Sequence, residues 1–82
     1  MEKELISLKK ELDKLDDIEG DVWKPVNAWE KKFRLTIGLF GSKYDWWLNE
    51  FEKIKENSLK DSFRNRINCF QRLYVEIEKR ES

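Results

Sequence analysis

The 82-residue chain contains no histidine. That absence removes the commonest general base near neutral pH, and with it Ser-His-Asp and Cys-His catalysis within one chain. There is one cysteine, Cys69. A structural zinc site draws on several Cys or His side chains, so no metal site is expected. A lone cysteine makes no internal disulfide and suits a reducing, cytoplasmic setting. The spacing around Cys69 puts it at the border of an apolar helix stripe, as a small buried hydrophobe rather than a reactive thiol. Only three glycines occur, Gly20, Gly38 and Gly41, and none lies in a phosphate-cradling frame. Pro25 is the sole proline. So few breakers favour a few long helices over many short strands. No apolar run approaches the length that crosses a membrane, and no charged-then-apolar leader is visible, so neither a span nor a signal peptide is expected.

What is present is balanced charge and many rings. Seventeen basic and seventeen acidic residues cancel. Charged residues make up 41% of the chain and aromatics 13%. So many rings need shelter, which excludes an obligately disordered tail and points to one folded domain over residues 1–82. Asp13, Asp16, Asp17, Glu19 and Asp21 crowd together. Their alternation resembles the start of a calcium loop, but the required glycine position holds Val22 and the closing glutamate position holds Ala28. The cluster reads as a solvated helix end. A carboxylate-only hydrolase would need two acids over a cleft, which so small a domain rarely has. No enzyme activity and no cofactor are expected.

Apolar periodicity predicts an all-α bundle, with four helices at about 2–19, 23–40, 43–57 and 59–80. Leu5, Leu8, Leu12 and Leu15 make a narrow seam on the first helix, suited to one partner helix, and Gly20 is its stop signal. The second helix has Pro25 in its first turn, where a missing N–H is tolerated. Val26, Trp29, Phe33, Ile37 and Phe40 form its main stripe. Residues 33–40 also alternate, which leaves a strand as the competing reading there. Leu35 and Leu39 fall opposite the stripe, giving this helix a second apolar side. Ser42-Lys43-Tyr44-Asp45 and Ser58-Leu59-Lys60-Asp61 read as capping boxes opening the third and fourth helices. Tyr44, Trp47, Leu48, Phe51 and Ile54 line the third. Leu59, Phe63, Ile67, Phe70, Tyr74 and Ile77 line the fourth. A real break between these two is expected from the second cap, with one kinked helix as the alternative.

Charge is unevenly placed. Residues 1–30 hold nine acids and five bases, whereas residues 31–82 hold eight acids and twelve bases. Such halves attract within the fold or orient protomers head to tail.

Two surfaces stand out as candidates. Trp46 lies off its stripe and Trp23 sits at the turn before Pro25. With Leu35 and Leu39 they form a candidate protein interface, because aromatics on exposed helix faces are common interface anchors. The corresponding expectation is a non-enzymatic interaction module, a regulator, inhibitor or adaptor, binding another protein or a second copy of itself. The alternative is a nucleic-acid binder. Arg64, Asn65, Asn68, Gln71 and Arg72 carry the side chains that read phosphates and base edges, on a stretch without acids. Zero net charge and a pI near 6.3 weigh against that alternative. Membrane-surface binding is not expected, since Asp45, Glu50, Glu52 and Glu56 on the third helix would be repelled by anionic lipid.

Overall fold

The apolar stripes fold into helices, as their period requires. In the computed structural model, which describes residues 1–57 and 63–81, α1 spans Lys3–Asp16, α2 Trp23–Gly38, α3 Asp45–Asn57 and α4 Phe63–Glu81. No strand occurs among the described residues. The strand reading of residues 33–40 is therefore excluded: the backbone is helical through Gly38. The third and fourth helices are separate elements.

Cross-helix pairs fix the topology. Gln71 Nε2 donates to Asp13 Oδ1 at 3.0 Å, and the Tyr74 hydroxyl donates to the Leu5 carbonyl at 2.9 Å. Rising numbers on α4 thus meet falling numbers on α1. Phe51 stacks on Phe70 at 4.7 Å and Trp47 meets Tyr74 edge-on at 5.1 Å, so α3 and α4 are also antiparallel. Arg34 pairs with Glu52, and Lys55 with Glu30, which runs α3 against α2. The result is an up-down-up-down bundle with a Cα radius of gyration of 12.2 Å.

The core is a chain of rings. Phe33 lies 5.2 Å from Trp29, 4.6 Å from Phe51 and 5.3 Å from Trp47, and Trp29 also stacks on Phe70 at 5.3 Å. Leu5, Leu8, Leu12, Ile37, Ile67 and Ile77 close the remaining volume. Both tryptophans on predicted stripes, Trp29 and Trp47, are buried. The Trp29 indole N–H reaches the Leu8 carbonyl at 2.8 Å, which ties α2 to α1. Leu15, Leu48 and Ile54 are only half-buried at the margins of the core.

Element ends depart from the sequence expectation in three places. The first helix stops at Asp16, short of residue 19. Asp16, Asp17 and Glu19 follow one another where the helix dipole disfavours negative charge, and Gly20 lies in the turn beyond with φ +86°. The second helix stops at Gly38, not residue 40. Ser42 does not head a capping box. Gly41 reverses the chain at φ +62°, and Gly41–Tyr44 winds as a 3₁₀ turn straight into α3. Helical backbone at Ser42 is incompatible with the extended geometry of a cap. The second box, residues 58–61, lies outside the described residues.

Candidate interaction surface

α2 places opposite chemistries on opposite sides. Val26, Trp29, Phe33 and Ile37 turn inward because they recur every three or four residues. Leu35 and Leu39, one turn apart, turn outward and are 71% and 78% exposed. Lys24, Lys31, Lys32 and Arg34 complete the exposed charge of this helix, and all four are basic. Its one acid, Glu30, is buried. Lys32 pairs with Glu11 at 2.8 Å and Arg34 with Glu52 at 2.6 Å. Among the described residues, no carboxylate lies within ion-pair distance of Lys24 or Lys31. A shallow groove between α2 and α3 is lined by Asn27, Ala28, Lys31, Arg34, Leu35 and Lys55, over the buried Glu30.

The other expected interface residues are dispersed. Trp23 is 44% exposed at the start of α2, with the Lys24 ammonium 5.6 Å from its ring centre. Asp21 Oδ1 accepts its backbone N–H at 3.0 Å and fixes the turn. Trp46 is half-buried on α3, beneath the Arg80 guanidinium at 3.9 Å. It belongs to the α3–α4 seam, whereas Leu35 stands on α2 and Leu39 at its C-terminal cap.

The polar residues of α4 divide between two sides. Arg64 donates to the carbonyls of Asp16 and Gly20 at 3.2 and 3.4 Å, clamping the α1–α2 turn. Gln71 is bonded to Asp13. Asn65, Asn68 and Arg72 are exposed and form the outward group. Cys69 is half-buried. No group of three or more His, Cys, Asp or Glu side chains is arranged to hold a metal ion among the described residues. No described helix is long and apolar enough to cross a membrane.

Two polar assemblies escape the sequence reading. One is a buried ion pair: Arg66 Nη1 meets Glu30 Oε1 at 2.9 Å, and Lys55 approaches the other carboxylate oxygen at 3.5 Å. The Arg66 guanidinium also lies 4.6 Å from the centre of the Phe63 ring. The available signal was positional. Glu30 falls among the stripe residues of α2 and Arg66 among those of α4, with opposite charge. The second assembly closes one end of the bundle. Glu2 accepts from Lys43 Nζ at 2.8 Å and from the Tyr44 hydroxyl, with Glu81 Oε1 3.4 Å from that same hydroxyl. Lys43 first, and Tyr44 second, hold the Glu2 carboxyl down at about 2. Burial, reinforced by Glu2, pushes the Tyr44 hydroxyl above its ordinary range. Burial does the same to Tyr74. These groups fasten helix ends together.

Comparison with protein-family models, curated proteins and solved structures finds no match.

Proposed function

We propose that this chain is a non-enzymatic protein-interaction module, of regulator, inhibitor or adaptor type, that docks through the outer face of α2. One observation carries the reading. Leu35 and Leu39 are the two most exposed large hydrophobic residues of the bundle among those described, and they stand on the last turn of α2 and the residue just past its end, on the side away from the core. Single exposed leucines are ordinary, but a pair one turn apart, with a groove beside Leu35 walled by Ala28 and the stems of Lys31, Arg34 and Lys55, is an arrangement a partner helix can cover. The surrounding lysines supply orientation more than affinity. The lone thiol suits action in a reducing compartment.

The test is a Leu35→Gln/Leu39→Gln double variant, which keeps good helix formers in α2. The variant is expected to retain helical circular dichroism and to lose proteins that the wild type captures from a lysate of its native host. Equal capture by both chains, compared by quantitative mass spectrometry, would sink the reading.

A further inference from the structure

Exposed apolar side chains occur at both ends of α2, with an acidic run preceding one end, where Lys24 over Trp23 and Arg64 at the turn are the basic groups, and lysines beside the other. At the acidic end, the turn entering α2 carries Ile18, 36% exposed, and Trp23, with exposed Asp16, Asp17 and Glu19 beside them in sequence. Among the described residues, no basic side chain forms an ion pair with those three carboxylates. At the other end stand Leu35 and Leu39, with Lys31 and Lys32 one turn back. At ~1.5 Å per helical residue, Trp23 and the two leucines lie roughly 18–24 Å apart along the axis, too far to meet within one molecule. A symmetric α2-to-α2 pairing would set exposed basic side chains against their own copies with no exposed acid on that helix to offset them.

We infer that the leucine ridge of one protomer receives the acidic end of a second copy, head to tail, with Ile18 and Trp23 against Leu35 and Leu39 and with Asp16, Asp17 and Glu19 facing Lys31, since Lys32 is already paired with Glu11. The inference rests on the docking reading above and names the occupant of that face. Such a contact is heterologous. The open assembly always keeps one free ridge at one end and one free acidic end at the other, so growth continues until a ring closes. Rim charges that steer the contact make it sensitive to salt.

Sedimentation equilibrium of the full chain tests this. The wild type is expected to show a weight-average mass above 10.1 kDa that rises with concentration and falls as salt is added. Two variants then separate the surfaces. Leu35→Gln/Leu39→Gln lacks the ridge, and Asp17→Lys/Glu19→Lys lacks the acidic end. Each alone is expected to weaken self-association at least tenfold while its circular dichroism remains helical. Mixed in equal amounts, they regain one intact contact and form a dimer that cannot extend. A wild type that stays monomeric at all concentrations and salt levels would overturn the inference, as would a mixture that stays monomeric while the wild type associates. Either result leaves the docking reading standing if the ridge variant still loses its captured proteins, so the two ideas fail separately.

Discussion

The α1–α4 seam and the outer flank of α2 are built from similar residues and end in opposite states. Along the seam, Leu5, Leu8 and Leu12 are buried in one core with Tyr74 and Ile77, and polar contacts run from Arg64 at one end to Glu81 at the other. On the outer flank, Leu35 and Leu39 face solvent with only basic neighbours on their own helix. The contrast shows that a leucine's contribution is set by whether a second helix is present to cover it. In this bundle α2 meets the core along one stripe, and its second apolar side is left in solvent.

The largest expected effect breaks the shared core beneath both regions. Phe33→Ala removes the ring that joins Trp29, Trp47, Phe51 and Tyr74. It should cost about 3–5 kcal/mol in urea denaturation, from lost burial plus the cavity left behind.

Arg66→Met comes next. It strands the buried Glu30 carboxylate with only Lys55 at 3.5 Å, and a buried pair broken on one side loses ~3–5 kcal/mol. The double variant Glu30→Leu/Arg66→Met should recover most of that loss. Denaturation midpoints of the two variants check it, and equal midpoints would contradict the account.

On the seam, Tyr74→Phe deletes one neutral hydrogen bond to Leu5. A shift of about 1 kcal/mol is expected, visible in the denaturation midpoint.

A smaller effect concerns acid. The Glu2 carboxyl is held at about 2 in the fold by Lys43 and Tyr44, against an ordinary 4.5. Its contribution is therefore present in full above pH 4.5 and is lost as pH falls toward 2. Glu2→Gln should make stability flatter with pH across that window than it is in the wild type. The group is half-buried at the rim of the bundle, so solvent screening keeps the change slight, and melting temperatures measured across the window would show it.

Least of all should the outer flank matter to folding. Leu35→Gln/Leu39→Gln is expected to change stability by no more than about 0.5 kcal/mol, as surface substitutions usually do. A loss comparable to Phe33→Ala would mean that the flank is part of the core after all.

Much of this was legible in the residues. Val26, Trp29, Phe33 and Ile37 sit at helical spacing, and so do Phe63, Ile67, Phe70 and Tyr74, so spacing alone names the inner faces. Leu35 and Leu39 were legible as a second side for the same reason. The end of α1 and the 3₁₀ turn at Gly41–Tyr44 were not, because a Ser-x-x-Asp string caps a helix only if the chain enters it extended. Arg64 and Gln71 share a flank with Asn68 on a helical wheel. α1 lies along that flank and engages those two side chains, while Asn68 remains in solvent.

Helix number, helix type and the apolar face of each helix followed from the sequence, because side-chain direction repeats with the local backbone period. The partners were decided in three dimensions: Arg66 for Glu30, Lys43 and Tyr44 for Glu2, and, among the described residues, no covering helix for Leu35 and Leu39. Spacing along one chain fixes which way a side chain faces, but what it meets depends on how four helices fit around one another.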